Sequence, residues 1–435
     1  MGDPGDEAWD HPGAQGGKMT IEFLTIGVLV AMFAIATLTP VNMGLLGFAA
    51  AYGIGVFVAG IPAREIARAI PTDLFVTLVG ITYLFALAQA NGAIGRMISA
   101  AATAVRGRAG LLPWLMFGLA ALLTGIGALS PAAVAILAPL AMKFARRHGL
   151  NPMTTGLLVV HGAQAGGFSP LSVYGGITRD AVAKGGLAFD AYGPFLMSLA
   201  ANTIAALGLY LIVRRFTPPD AGATAPETDG SEPAGSPLAT WVTFAGLAAL
   251  AVLTLAFKLE IGFVAIAVGL LLSFVSLESQ RGVLSRLPWS EIVLILGVAT
   301  YVAVMQKMGV IDYVGRQVAE VGSPVFAALL VLYIGAVVSA FASSAAVLGS
   351  LIPLAIPLLR DQPALVVVTF VSAMAVASTI VDVSPFSTNG ALVLASADEA
   401  DRARLYRRLL AYGTLITLAA PLILWLVFLA TGAFR

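Results

Sequence analysis

The chain lacks cysteine and contains little charge. None of its 435 residues is cysteine, which excludes disulfides, thiolate chemistry and cysteine-ligated metal sites. Charged residues make up 11% of the chain and hydrophobic residues 59%, whereas soluble domains contain about 25% charged residues. The 24 basic residues nearly balance the 23 acidic ones and are scattered, so the sequence predicts no basic surface for nucleic acid. This composition is typical of an integral membrane protein.

Common enzymatic signatures are also missing. The sequence contains no Walker-type glycine loop with its lysine, no His-Glu-x-x-His and no Gly-x-Ser-x-Gly elbow. We therefore expect neither an enzyme nor an ATP-driven pump, and no cofactor other than a coupling ion.

Two polar segments divide the chain. Residues 1–19 contain glycine, proline and acidic residues without an apolar run, which predicts a disordered tail and not a secretory signal. Met19 is an alternative natural start, so the sequence leaves open whether residues 1–18 are native. Residues 217–237 are rich in Pro, Gly, Ala, Asp and Glu and indicate a linker. The linker separates a first membrane repeat, residues 20–216, from a second, residues 238–435.

The two halves share landmarks in the same order. Ser169–Gly175 and Ser384–Gly390 both fit the pattern Ser-Pro-apolar-Ser-x-x-Gly. Upstream, the segment that begins at Ser130 matches the segment that begins at Ser343. Matching positions lie 213 to 217 residues apart, which predicts an internal repeat. Further matching landmarks are Gly80 with Gly297, Gln89 with Gln306 and Gly92 with Gly309.

Each half divides into the same parts, given that about 20 apolar residues span a bilayer. The parts are a helical pair, a third span, an interfacial helix, a re-entrant hairpin, a broken helix and a closing span. Five crossings per half would place the halves in opposite orientations, so the predicted fold is an all-α polytopic membrane protein of two inverted repeats. The predicted segments are 20–38, 42–59, 72–90, 94–105, 111–144, 152–182 and 192–213, then 238–257, 261–277, 290–308, 311–321, 324–359, 363–397 and 405–431.

The distribution of basic residues predicts the orientation. The predicted segments place fourteen of the 24 lysines and arginines on the side of the membrane that holds the linker. The positive-inside rule then makes the linker cytoplasmic and both termini external.

Serines beside the predicted helix breaks are the candidate substrate ligands. A lone buried charge is costly, so hydroxyls, amides and helix N-termini are favoured for holding an anion at membrane depth. The alternative is that serine and glycine only allow close helix packing. No Lys or Arg is predicted at that depth, and Arg179 is expected to pair with Asp180 at the membrane boundary. The substrate-binding candidates are Ser130, Ser169, Ser172, Ser343, Ser344, Ser384, Ser387, Thr388 and Asn389.

A second set of residues is predicted to couple an ion. Asp382 is an ionisable group in an apolar segment and can ligate a cation or carry a proton. His161 can titrate near neutral pH, or it can simply bond two helices together. The carbonyl of Gly127 lies at a predicted hairpin tip. The ion-coupling candidates are Asp382, Asn389, Gly127, His161 and Gln164, with no metal expected beyond a sodium ion.

Three segments resemble a known family: Pro71–Phe85, Gly127–Ile136 and His161–Ile177. They are similar to the MatC-type dicarboxylate (malonate) carriers, within the divalent anion/sodium symporter (DASS) and ion transporter superfamily. The resemblance implies a homodimer joined through scaffold helices, with a transport domain that moves as an elevator and with 94–105 and 311–321 as connecting arms. In the broader superfamily, Ser-Asn-Thr triplets at both hairpin tips bind carboxylate and sodium. The tips here lack Asn, so sodium coupling does not carry over, although Asn389 can preserve one such contact.

The leading hypothesis is a secondary active transporter for small dicarboxylates, malonate-like or C4, by symport with sodium or protons. It is expected in a bacterial inner membrane, with lipid and a second copy of the chain as partners. The alternatives are a cation/proton antiporter or inorganic oxyanion carrier on the same scaffold, or an ion channel. The sequence leaves open the dicarboxylate, the coupling ion, its stoichiometry and the direction of transport.

Overall fold

The structure is a computed structural model that describes residues 14–104, 109–147, 149–216, 237–275, 277–320, 323–340, 343–360, 362–397 and 399–430. Its regular elements in these ranges are helices. Before the linker they are α1 (Ala14–Leu38), α2 (Met43–Tyr52, continued by a π-helical turn, Gly53–Val58), α3 (Ala63–Arg68), α4 (Thr72–Ala90), α5 (Ala93–Ala104), α6 (Leu112–Gly125), α7 (Ser130–Arg147), α8 (Pro152–Gly166), α9 (Val173–Lys184) and α10 (Tyr192–Phe216). After the linker they are α11 (Pro237–Leu255), α12 (Ile261–Val275), α13 (Leu277–Gln280), α14 (Trp289–Lys307), α15 (Val310–Glu320), α16 (Pro324–Ser339), α17 (Ser344–Ala355), α18 (Ala364–Ile380), α19 (Thr388–Ala395) and α20 (Glu399–Ala430).

Five of these helices are long and apolar enough to cross a membrane by length and composition. They lie in α4, α10, α11, α14 and α20. Shorter apolar helices include the predicted hairpin arms α6, α16 and α17 and the first part of a broken helix, α18. They are shorter because the chain turns or breaks at Gly, Ser and Pro before a full span is reached.

The helices pack as two sets. One set, α1–α5 with α11–α15, contains the close pairs α4 with α12 and α2 with α14. The other set, α6–α10 with α16–α20, contains α6 with α8, α10 with α18 and α18 with α20. Contacts between the sets include α4 with α9 and α14 with α17. Both sets combine helices from before and after the linker, so neither half of the chain folds as a separate core.

Two glycine pairs bring helices from opposite halves together. A Cβ added to Gly297 in α14 would overlap the Gly44 carbonyl in α2, and a Cβ added to Gly80 in α4 would overlap the Gly262 carbonyl in α12. Only glycine permits such close backbone approach. The first set is therefore held by glycine contacts as well as by its apolar side chains.

Several boundaries differ from the predicted ones. Helix α1 begins at Ala14, inside the predicted tail. The short helices α3 and α13 were not predicted. Residues 1–13 of the tail and 217–236 of the linker lie outside the described residues.

Candidate functional site

Each Ser-Pro motif builds a helix break. Ser172 caps α9, because its Oγ accepts from the Gly175 amide at 3.1 Å and donates to the Ser169 carbonyl at 2.7 Å. Ser387 caps α19 in the same way, accepting from the Gly390 amide at 3.3 Å and donating to the Ser384 carbonyl at 2.7 Å. Both serines occupy the N-cap position that favours this residue type. The fourth residue of the motif therefore starts the second part of each broken helix.

The first serine and the glycine of the motif complete the same turn. The Oγ of Ser169 accepts from the Leu171 amide, and that of Ser384 accepts from the Phe386 amide, both at 3.2 Å. A Cβ on Gly390 would overlap the Ser384 carbonyl, and a Cβ on Gly175 would overlap the Ser169 carbonyl. The motif is thus explained by backbone geometry, with its serine oxygens engaged by the turn.

The tip of the first hairpin contacts both helix breaks. Ser169 donates from its hydroxyl to the Gly125 carbonyl at the end of α6. Across the halves, the Asn389 amide in α19 donates to the Ser130 hydroxyl at the start of α7, at 2.7 Å. Gly127, between the two arms, has φ of 120°, a backbone conformation that favours glycine.

The second hairpin makes the corresponding contacts through different residues. Ser344, at the start of α17, lies 3.0 Å from the Ser339 hydroxyl, and α17 packs against α9, which carries Tyr174. Tyr174 stands 215 residues before Asn389 and so occupies the matching position of the first break. Ser343 precedes α17 at its N-cap position without a side-chain capping bond.

Asp382 lies at the centre of a buried polar cluster. Its side chain is 3% exposed and Asn389 is 0% exposed. One carboxylate oxygen accepts from Asn389 Nδ2 at 2.9 Å and from Gln164 Nε2 at 3.1 Å, and the other accepts from the Asn389 backbone amide at 3.2 Å. With Ser130 bonded to Asn389, these contacts join α7, α8 and α19 around the carboxylate. We name Gln164, Asp382, Asn389 and Ser130 the Asp382 cluster.

The two amides of this cluster have unused acceptors. A carboxylate accepts hydrogen bonds only, so both amides present nitrogen to Asp382. Gln164 Oε1 and Asn389 Oδ1 are buried and have no hydrogen-bond partner among the described residues. Asp382 takes part in none of the ion pairs that the described residues form. A buried carboxylate beside two unpaired amide oxygens offers the all-oxygen ligands that a small hard cation prefers.

The first half does not repeat this cluster. Gly167 occupies the position 215 residues before Asp382, and Tyr174 occupies that of Asn389. The carboxylate is therefore present at one break only.

His161 is a bonded core residue. Its Nδ1 lies 2.9 Å from Asn202 Oδ1, and its Nε2 lies 2.7 Å from the Tyr412 hydroxyl. Asn202 donates through Nδ2 to the Ser198 carbonyl at 3.0 Å, so its Oδ1 faces the ring and must accept. This places a hydrogen on Nδ1, and in the neutral ring Nε2 then accepts from the Tyr412 hydroxyl. His161 thus connects α8 to α10 and α20, which is the helix-bonding alternative stated above.

The Arg179 prediction was wrong in its partner. Asp180 pairs instead with Lys184 at 2.8 Å. Arg179 turns back along α9 and donates to the Pro170 carbonyl at 3.3 Å. Its long side chain can span the two helical turns back to the break, so one cation does reach the first break, contrary to expectation.

The predicted site residues do not all share one position. Ser130, Gln164, Asp382 and Asn389 meet in the Asp382 cluster. Thr388 is exposed at the start of α19, while His161 bonds to Asn202 and Tyr412 instead of to Asp382. Sequence reasoning missed Tyr174, Ser198, Asn202 and Tyr412. A signal existed for Tyr174, since it occupies the repeat position of Asn389. In the part of the chain that the structure describes, no group of three or more His, Cys, Asp or Glu could hold a metal ion.

Comparison with known proteins agrees with this architecture. Residues 19–167 match the family model described as the dicarboxylate carrier protein MatC N-terminus, which confirms the resemblance for that part of the chain. The crystal structure of the YdaH transporter from Alcanivorax borkumensis has the same fold, with a TM-score of 0.59 and 17% sequence identity over 85% of this chain and 88% of that chain. No curated protein sequence matches the chain.

The matched family model is that of a dicarboxylate carrier, and the solved structure with the same fold is that of a transporter. With the apolar helices described above, they indicate an integral, multi-pass membrane protein. The family match ends at Gly167 and therefore includes Ser130 and Gln164 but not Asp382 or Asn389.

Proposed function

We propose that the protein is a secondary active transporter for small dicarboxylates, malonate-like or C4, coupled to sodium or protons through Asp382. The observation that carries this proposal is the Asp382 cluster, in which a buried carboxylate with no cationic partner among the described residues is joined to a hairpin tip and a helix break. The match of residues 19–167 to a dicarboxylate carrier family supports the substrate class.

In the proposed mechanism, the two amides stabilise the carboxylate until the coupling ion arrives. Their N–H groups supply the positive ends of dipoles that a buried carboxylate requires. A cation replaces them, and rotation of the amide groups turns Gln164 Oε1 and Asn389 Oδ1 toward it. A proton acts differently, because it neutralises Asp382 and turns the carboxyl group into a donor. Either ion removes the negative charge that would otherwise repel a dianion.

The dicarboxylate binds, in this proposal, where the N-termini of α7, α9, α17 and α19 converge. Helix N-termini attract carboxylates through their dipoles and free amides. The exposed hydroxyl of Thr388 and the partly exposed Ser343 are the side chains offered beside those amides. The remaining serine candidates hold the breaks or hairpin tips in position, and Arg179 adds positive charge at the first break.

Alternating access is proposed to be an elevator motion of two inverted repeats. The set α1–α5 with α11–α15 is the scaffold and dimer contact, while α6–α10 with α16–α20 moves as the transport domain. The matching glycine pairs, and the matching contacts of α9 with α17 and of α19 with α7, support the repeat. Helices α5 and α15 are the connecting arms. Asp312 of α15 pairs at 3.0 Å with Arg360, which follows α17, and so joins an arm to the transport domain.

Uptake by proteoliposomes tests this function. We expect saturable uptake of radiolabelled malonate or succinate, driven by an imposed sodium or proton gradient. Asp382→Asn keeps the shape but removes the charge and should lower gradient-driven uptake at least about tenfold, equivalent to 1.4 kcal/mol. The matched control is Glu278→Gln, which removes an exposed carboxylate in α13 and should transport normally.

The other outcomes separate the alternatives. Absence of dicarboxylate uptake under both gradients would refute the proposal. Movement of protons or inorganic ions without organic acid would indicate an antiporter or oxyanion carrier, and flux that rises linearly without saturation would indicate a channel. Uptake by Asp382→Asn that still follows the gradient would exclude Asp382 as the coupling residue.

A further inference from the structure

A cavity away from the Asp382 cluster lies at the base of the first hairpin. Its volume is about 230 Å³, and it is enclosed by the start of α6, the turn before α8 and the end of α10. Its walls combine apolar and polar groups, which include Pro113, Val213, Thr154, Tyr210 and Arg214.

Thr154 contributes a hydroxyl that bonds to none of the described residues. Its side chain is 4% exposed, and its Oγ1 has no hydrogen-bond partner among the described residues. The neighbouring Thr155, in contrast, donates to the Asn151 carbonyl at 3.2 Å. A buried hydroxyl without a partner is destabilising, because it has lost its hydrogen bonds to water. A ligand that enters the cavity and bonds this hydroxyl removes that cost.

The other polar groups of the cavity favour an anion. Helix α8 begins at Pro152, after its N-cap Asn151, and presents the positive end of its dipole to the cavity. Arg214 adds a guanidinium, whose planar donors suit phosphate oxygens. A hydroxyl, a guanidinium and a helix N-terminus together match a phosphate group.

The cavity lies at the level where lipid headgroups are found. The apolar span Tyr192–Arg215 ends beside it, so Arg214 marks the membrane boundary. Trp114 and Tyr210 meet edge to face at 5.8 Å, and such aromatic residues are enriched at this level. Leu207 and Leu211, at helical spacing from Arg214, are 44% and 54% exposed and continue the same face of α10 into the bilayer.

We propose that this cavity binds the phosphate of an acidic phospholipid, with its acyl chains along α10. Thr154 donates its hydroxyl hydrogen to a phosphate oxygen, Arg214 pairs with the phosphate charge, and the exposed leucines contact the acyl chains. The lipid then fastens the base of the first hairpin to α8 and α10. The inference is independent of the substrate and of the coupling ion.

Lipid binding and thermal stability of the purified full-length protein test the proposal. Native mass spectrometry with added phosphatidylglycerol should show retained lipid, and phosphatidylglycerol should raise the Tm more than phosphatidylcholine does. Thr154→Val and Arg214→Gln should each bind phosphatidylglycerol about tenfold more weakly. Arg215→Gln is the matched control, because it removes the adjacent charge without altering the cavity lining, and it should bind as the unaltered protein does.

Thr154→Val also separates a binding role from a structural one. In phosphatidylcholine alone this variant should be as stable as the unaltered protein or more stable, since it removes an unpaired hydroxyl without changing shape. Phosphatidylglycerol binding that is unchanged in both variants would overturn the proposal, as would an equal loss in Arg215→Gln. Protection by inorganic phosphate equal to that by phosphatidylglycerol would overturn the assignment to a lipid.

Discussion

The hydroxyls of Ser172 and Ser387 bond to the backbone of their own turns. Their role is therefore to cap helices, and not to bind substrate directly as the sequence suggested. Each accepts from the glycine amide three residues later and donates to a carbonyl three residues earlier. These serines therefore position the helix N-termini and do not by themselves offer free donors. In the proposed function, the groups left to bind an ion are Asp382 and the amides of Gln164 and Asn389.

Removal of one N-cap should be measurable as lost stability. Ser387→Ala removes the acceptor for the Gly390 amide and should lower the free energy of unfolding by about 1 kcal/mol. It should also weaken the response of uptake to the coupling ion, because the first turn of α19 supplies the Asn389 amide to Asp382. Thermal unfolding in detergent and uptake under varied ion gradients measure the two effects.

Ser396→Ala provides the comparison for this variant. Ser396 follows the same helix, but its hydroxyl donates to the Leu392 carbonyl at 2.7 Å without capping an N-terminus. We expect a smaller loss of stability and unchanged coupling. Equal effects of the two substitutions would contradict the capping role of Ser387.

Residue identities were easier to predict than residue partners. Asp382 stood out because an ionisable group is rare in an apolar segment, and the repeat placed Asn389 at a break. The bonds of His161 to Asn202 and Tyr412 cross 41 and 251 residues of sequence. Such pairings depend on how each helix is rotated about its axis, which the apolar pattern does not specify when a helix is buried on most sides.

At the scale of elements, the helix pairs α2 with α14 and α4 with α12 depend on backbone contact. Their glycines lie where a side chain would overlap a carbonyl of the facing helix. Membrane helices associate through such small residues because lipid removes most of the hydrophobic driving force between them.

A methyl group at this contact should separate α2 from α14. Gly297→Ala places Cβ against the Gly44 carbonyl and should destabilise the protein by about 1 to 3 kcal/mol through overpacking. Gly208→Ala in α10 is the matched control, because nothing lies within 4 Å of the added Cβ. That substitution should stabilise the protein by up to about 1 kcal/mol through helix propensity. Unfolding temperatures of both variants in the same detergent give the comparison, and a stable Gly297→Ala would contradict the close contact.

Some element boundaries could be predicted from the sequence because Pro, Gly and Ser mark them. The predicted segments 72–90 and 94–105 correspond to α4 and α5, and both broken helices break at their Ser-Pro motifs. The helices α3 and α13 were missed because six and four residues are too few to show a helical pattern of apolar residues.

At the scale of the whole molecule, the proposed elevator motion is a sliding of one helix set along the other. Helix α9 contacts α4 across the boundary between the sets, and a Cβ added at Gly176 would lie 3.8 Å from Thr77 Cγ2. Helices α10 and α18 belong to one set, and a Cβ added at Gly193 would lie 3.8 Å from Val368 Cβ. The absence of native cysteine allows paired cysteines to be introduced at either place without background.

Cross-linking should distinguish the two places. Thr77→Cys with Gly176→Cys joins the sets, so oxidation or a mercury bridge should stop uptake, and reduction should restore it. Gly193→Cys with Val368→Cys has a Cβ separation suited to a disulfide and joins helices of the same set. Its cross-link should leave uptake intact. Full uptake by the first cross-linked pair would contradict sliding between these sets.

The single carboxylate of the Asp382 cluster, replaced in the first half by Gly167, also has an electrical consequence. If one monovalent cation accompanies each dianion, every transport cycle moves one net negative charge across the membrane. Each such charge is worth about 2.3 kcal/mol per 100 mV of membrane potential. An inside-negative membrane therefore opposes import and favours export of the dianion. A dicarboxylate that keeps one proton is a monoanion, and together with one monovalent cation it moves without net charge.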